Sequence, residues 1–205
     1  MGWVGRVLSF FRVERNGAKI SDTQIDTGGG PNVTAEHFAP AGDDSYPLET
    51  DYAIGHDVQQ TGRVAVTGYL DPKNTPKAQK GDKRIYARDA DTGAVVVEVW
   101  LKNDGTAVIS NDNGSVLLRP DGGSIVTTPG ATFDAKADGS IKGDNGSGSF
   151  ELEAGGDFVV NGVTIDTGGN IVTGGTLNAD DVTADNQNVT LSTHNHGGSA
   201  PVPGT

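Results

Sequence analysis

His194 and His196 are separated by one residue near the end of the chain, in Leu191-Ser192-Thr193-His194-Asn195-His196-Gly197-Gly198. On a strand, residues i and i+2 point to one side, so both imidazoles project together and Asn195 projects away. One chain then supplies two nitrogen ligands, too few for a tightly held metal. Three chains around a common axis supply six nitrogens in two layers of three, an octahedral set. Six neutral nitrogens suit Fe(II), Co(II) or Ni(II) better than zinc, which prefers four ligands. Availability in a cell favours iron (Fe2+), one ion per three chains. A six-coordinate ion leaves no open position for water or substrate, so its role is structural. An isolated HxH in a loop is ordinarily no ligand pair. This one gains its meaning only if the preceding chain builds a threefold axis.

The second half is organised to do so. From Leu101 onward turn dipeptides recur: Asp104-Gly105, Asn113-Gly114, Asp121-Gly122, Pro129-Gly130, Asp138-Gly139, Asn145-Gly146, Gly155-Gly156, Asn161-Gly162, Gly168-Gly169 and Gly174-Gly175. Their starts lie 9, 8, 8, 9, 7, 10, 6, 7 and 6 residues apart, with short alternating runs such as Ser124-Ile125-Val126-Thr127 between them. Asn-Gly and Asp-Gly favour the positive φ of tight turns, so the pattern describes a β-meander or β-solenoid rather than a linker. Each run offers two or three inward apolar side chains. At about 25 cal/mol per Å² these cannot offset roughly 1–2 kcal/mol of backbone entropy per residue. Identical chains wrapped around one axis remove the deficit, and a homotrimeric β-helix is the simplest such object. A single-chain right-handed solenoid is the rival.

The first half differs. Nine of the twelve aromatics lie in residues 1–100, whereas residues 143–205 hold eight acids and no Lys or Arg. Trp3, Val7, Phe10 and Phe11 fall near helical spacing among Arg6, Arg12 and Arg15, which predicts a surface or partner-docking helix. Strands are predicted at 63–69, 84–88 and 94–101, after turn-rich stretches over 18–51. Several short strands with long polar loops suit a small closed barrel of the OB type.

The 205 residues carry a formal charge of -12 and 31 glycines, and contain no cysteine. Phosphate repels such a chain, which speaks against a general binder of nucleic acid or anionic membranes. Disulfides and thiolate sites are excluded. No apolar run approaches a membrane span, and the opening residues lack the pattern of a signal peptide.

The stretch GDKRIYARDADTGAVVVEVWLKNDG (81–105), the glycine-punctuated repeats and the terminal STHNHGG (192–198) carry a resemblance. The chain resembles the central spike proteins of contractile phage tail baseplates, typified by phages P2 and Mu and by R-type tailocins. The resemblance implies an all-β fold: an N-terminal OB-fold barrel, then an intertwined homotrimeric triple-stranded β-helix with a metal-capped C-terminal apex. The expected division is an N-terminal arm at 1–18, the OB domain at 19–92, the shaft at 93–185 and the apex at 186–205. The resemblance implies that the HxH motif, here His194 and His196, binds iron near the tip. The implied role is mechanical and non-enzymatic. Sited at the distal tip of the virion's tail, the spike caps the tube, docks on baseplate hub or tail-tube proteins, and is driven through the host outer membrane. An acidic shaft pierces that membrane without adhering to it.

The rival reading is a receptor-binding or envelope-polymer-degrading tail fibre. Carboxylate pairs for glycosidic chemistry exist at Asp43-Asp44, Glu49/Asp51 and Asp180-Asp181, all in polar turn-like stretches without an aromatic platform. Asp180, Asp181 and Asp185 could bind further ions, though solvated outer-face acids are the simpler account. His37 and His56 read as surface or loop residues. No G-x-S-x-G, P-loop or HExxH motif is present.

Overall fold

A computed structural model describes residues 2–58 and 62–175. The described chain is all-β, with sixteen strands and no helix, arranged as two sheets. The first is a closed barrel of β1 (Gly2–Arg15), β2 (Ala18–Asp26), β3 (Val33–His37), β4 (Tyr52–Val58) and β5 (Arg63–Leu70), in the order β1-β2-β3-β5-β4. Neighbours are antiparallel except β3 and β5, which run parallel through Glu36↔Ala65 and His37↔Val66.

The opening segment is a barrel strand, not the helix its spacing predicts. Trp3, Gly5 and Val7 face inward with a period of two; the pairing with β2 then shifts between Val7 and Ser9, and Phe10 faces inward next. A period of two reset by one extra residue places 3, 7 and 10 on one side, which imitates a helical stripe. The barrel core is small: Val7, Ile25, Ala35, Ala53 and Val66, packed against Trp3, Val64 and Tyr69. Gly55 provides the seat for Trp3, since a Cβ there would lie 2.3 Å from the indole ring.

The second sheet contains eleven strands, each paired antiparallel with its sequence neighbours. They are β6 (Lys83–Arg88), β7 (Val95–Leu101), β8 (Ala107–Asn111), β9 (Gly114–Leu118), β10 (Ser124–Thr128), β11 (Ala131–Ala135), β12 (Ile141–Asp144), β13 (Ser149–Leu152), β14 (Phe158–Val160), β15 (Val163–Ile165) and β16 (Ile171–Thr173). The second half is therefore a meander. Its turns have a regularity finer than the dipeptide spacing. Five of them, at Lys102–Thr106, Arg119–Gly123, Lys136–Ser140, Glu153–Asp157 and Asp166–Asn170, share one hydrogen-bond scheme. The first residue's N–H donates to the fifth residue's carbonyl. The fourth residue is a glycine whose φ is between 81° and 96°, and its N–H donates back to the first carbonyl. The starts lie 17, 17, 17 and 13 residues apart, so one repeat is two strands and two turns. Asp104, Asp121 and Asp138 occupy the third position, and each accepts the N–H two residues on, at 2.8–2.9 Å.

Between the sheets, residues 71–82 form a strap across one side of β6 and β7. Asp82 ties its far end, accepting from Gln79 N–H (3.0 Å), the Trp100 indole (3.0 Å) and Asn103 N–H (2.9 Å). Beneath it Arg84 pairs with Glu98 and stacks on Tyr86, 4.6 Å from the ring centroid.

Candidate functional surface

Alternation along the strands gives the eleven-stranded sheet two different faces. The register aligns cross-strand rows on one of them. One row runs Val99–Ile109–Val116–Val126–Phe133 and continues through Gly143, Phe150 and Val160 to Val163. A parallel row includes Leu101, Leu118, Ile141, Leu152, Phe158 and Ile165. Apart from Lys83 at the β6 edge, this face carries no charged side chain. Fifteen of its large apolar side chains are between 37% and 62% exposed. Hollows of about 340 and 390 Å³ lie along it, one beside Ile109 and Val126, the other beside Phe133 and Phe150.

Phe133, Phe150 and Phe158 form a file with centroids 6.4 and 6.3 Å apart. Gly143 allows it, because a Cβ there would lie 2.2 Å from the Phe150 ring. The opposite face is polar from β11 to β13. Arg119 makes a two-pronged pair with Asp134 (2.8 and 3.1 Å), and Lys136 lies 3.6 Å from Glu151. Both pairs span fifteen residues and link the start of one turn to the strand two further on.

The acids in the turns are held ionised by the backbone. Hydrogen bonds from the N–H of Thr106 and of Ser140 hold Asp104 and Asp138 below the ordinary carboxylate range, and the Asn170 side-chain amide does the same for Asp166. Their repeated placement makes them turn chemistry rather than a site.

Of the carboxylates considered for glycosidic chemistry, Asp43, Asp44 and Asp51 line one cleft, and Glu49 lies apart from them. Asp44 binds Arg12 at 2.8 Å, Asp51 binds Arg88, and Glu49 borders a different hollow with Lys73. Asp43, Tyr46, Asp51, Tyr69, Tyr86 and Arg88 line a cleft of about 450 Å³ between barrel and sheet. His37 and His56 are both strand residues; His56 lies on the surface, as expected, and His37 is half-buried. The His37 ring packs edge-on to Phe10 (5.8 Å) and Tyr69 (4.9 Å), and burial holds its pKa below the usual value against the pull of Asp43 and Asp44. Burial likewise raises the Tyr69 phenol, whose oxygen is 2.6 Å from Thr23 Oγ1.

His194 and His196 lie outside the described residues, as do Asp180, Asp181 and Asp185. Among the described residues no three His, Asp or Glu side chains come together as a metal-binding group.

No protein-family model and no curated protein matches the chain. Among solved structures, the wild-type TCP10 domain of Danio rerio CPAP is similar at 15% identity and a TM-score of 0.28, over 83% of this chain and 88% of that one. A mutant of the same domain gives 14% identity and a TM-score of 0.28, over 82% and 87%. A likeness of that size bears on neither the fold nor the function of this chain.

Proposed function

We propose that the protein is a homotrimeric spike at the tip of a contractile tail, and that it pierces the bacterial outer membrane when the sheath contracts. The observation that carries the reading is the apolar face running from β7 to β16 with nothing from its own described chain upon it. Fourteen side chains of β7 to β16 with that exposure leave on the order of 1,000 Å² of apolar surface, more than the roughly 800 Å² per partner of a standard stable interface. A monomer rarely leaves so large a patch in water. Three copies with these faces turned to a common axis cover it with identical residues. The charged pairs Arg119–Asp134 and Lys136–Glu151 then face solvent.

The barrel's strand order, β1-β2-β3-β5-β4 with β3 and β5 parallel, supports the OB reading of the first half. In the spike this barrel faces the tail and docks on a hub or tube protein, while the C-terminus leads toward the host envelope. His194 and His196 from three chains would hold one Fe2+ at the apex. The donor set fits, since six neutral imidazoles complete an octahedron. When bound, the ion cross-links three C-terminal strands where fraying is otherwise easiest. The chain's own contribution is mechanical. Small turn residues keep the shaft narrow, and the covered apolar rows resist separation of the chains under axial load.

Light scattering combined with elemental analysis, on protein purified without a nickel column, tests this. A particle of three times 21.1 kDa with one iron per three chains is expected. Replacing His194 and His196 with Ala should remove the iron and leave the trimer. A monomeric mass, or iron retained by the double variant, would overturn the reading or its site respectively. Turnover of an envelope polymer would favour the degrading-fibre alternative.

A further inference from the structure

A single segment, residues 71–82, joins the last strand of the barrel to the first strand of the second sheet. The default expectation for two units joined this way is relative motion, unless side chains prevent it. Arg88, the last residue of β6, is placed to prevent it. Its guanidinium donates to both carboxylate oxygens of Asp51 (2.7 and 2.6 Å) and lies 3.3 Å from Asp71 Oδ1. Asp51 belongs to the barrel side and is 1% exposed. Its carbonyl accepts the Val7 N–H at 2.8 Å and its Oδ2 the Leu48 N–H at 2.9 Å.

Asp71 is the root of the strap. Its Oδ2 accepts the Tyr86 hydroxyl (2.9 Å) and the Asn74 amide (2.8 Å), and that amide also reaches the Gly93 carbonyl (3.0 Å). Lys73 adds a bond to the Thr92 carbonyl. With Asp82 fixed at the far end, the strap is tied to the β6–β7 hairpin at both ends, and Arg88 ties its root to the barrel.

We propose that the strap and Arg88 form a brace that locks barrel and sheet into one rigid body. Arg88 is the positioning residue, because its planar fork holds the barrel through Asp51 and the strap through Asp71 at once. A lysine has a single point of charge and cannot grip both oxygens of one carboxylate while contacting a second. Exposed ion pairs contribute little, but this one is largely withdrawn from water, so removing one partner strands a buried charge. The inference stands on this geometry alone and not on the spike reading. Within a spike, the brace is where axial load crosses from barrel to shaft.

The chain has no cysteine, so labels introduced at Lys19→Cys, exposed near the start of β2, and Asp112→Cys, in an exposed turn, are the only two per chain. The full-length double-cysteine chain is co-expressed with an excess of cysteine-free chain and spin-labelled after purification, and the distance distribution is recorded. A single narrow distribution is expected in the parent. Arg88→Ala should broaden it at least about twofold, Arg88→Lys should broaden it partly, and trypsin should cut after Lys77 and Lys80 about tenfold faster in Arg88→Ala. A parent distribution that is already broad would overturn the proposal, as would an Arg88→Ala chain unchanged in both readouts. If Arg88→Ala does not fold, Asn74→Ala decides. Faster cutting in the strap supports the brace, and an unchanged rate refutes it.

Discussion

Val116 lies in the middle of the apolar face, between Ile109 on one neighbouring strand and Val126 on the other, and is 41% exposed in the single chain. Replacing it with aspartate separates an open face from a covered one. On an open face the carboxylate reaches water, and the loss is that of a half-exposed valine, about 1 kcal/mol. On a covered face the charge has no partner, because the row around it is apolar, and the cost rises to about 3–5 kcal/mol per chain. Three chains meeting at one axis bring three such charges together, so the particle loses about 9–15 kcal/mol. The sign of the pH dependence follows. A carboxyl held away from water titrates above its ordinary value, so its penalty is full at neutral pH and shrinks as pH falls below that raised value. Val172→Asp is the control, an equally drastic change at a 59% exposed position on the opposite face. Light scattering and thermal melting at pH 7 and pH 5 should find Val116→Asp dissociated or strongly destabilised at pH 7 and partly restored at pH 5, with Val172→Asp like the parent. If both variants keep the parent's mass and melt within about 1 kcal/mol of it, the face is not an interface.

Gly143→Ala places a methyl group into the Phe150 ring, which cannot swing freely between Phe133 and Phe158. Overpacking of about 1–3 kcal/mol, offset by about 0.4–1 kcal/mol of unfolded-state entropy, should lower the melting temperature by several degrees. Adding Phe150→Leu should recover part of the loss, and strict additivity of the two changes would refute the contact. For pH, the turn carboxylates Asp104, Asp138 and Asp166 are held below the ordinary range when folded. The stability they contribute is therefore complete above that range and is lost as pH falls through their depressed values. Melting temperature should be flat from pH 7 to about 5 and fall below about pH 4. Asp138→Asn, which keeps an accepting oxygen, should show a shallower acid decline, and identical acid profiles would contradict the assignment.

Much of the meander is legible in the chain because its turns are written locally. An Asp-Gly or Asn-Gly pair states a turn without reference to distant residues, and the strand at 94–101 is followed by one of them, Asp104-Gly105. The first strand was not legible for the converse reason. Its bulge is specified by pairing with β2, whose partner residues no window of eleven residues contains. The 17-residue repeat is hidden in uneven steps of 9 and 8, 8 and 9, then 7 and 10, whose pairs each sum to 17, because two kinds of turn follow one another. The pair His194 and His196 is readable as an HxH, but the register of three chains that would give it meaning is not a local property. Arg88, Asp51 and Asp71 were missed as a group, since residues 20 and 37 apart signal nothing by spacing.

The repeat also makes length a countable quantity. Neighbouring strands lie about 4.8 Å apart, so two strands advance the sheet by about 10 Å. Removing residues 120–136 would join Arg119 to Ala137-Asp138-Gly139-Ser140, which recreates the shared five-residue turn with arginine at its head. Glu151 would take the place of Asp134 as the acid fifteen residues beyond Arg119, and Ile141 would take the place of Ser124 opposite Leu118. The sheet would be shorter by one step, with its turns, its charge pairing and its apolar row intact. A chain built this way can change its reach by whole repeats without inventing a new contact.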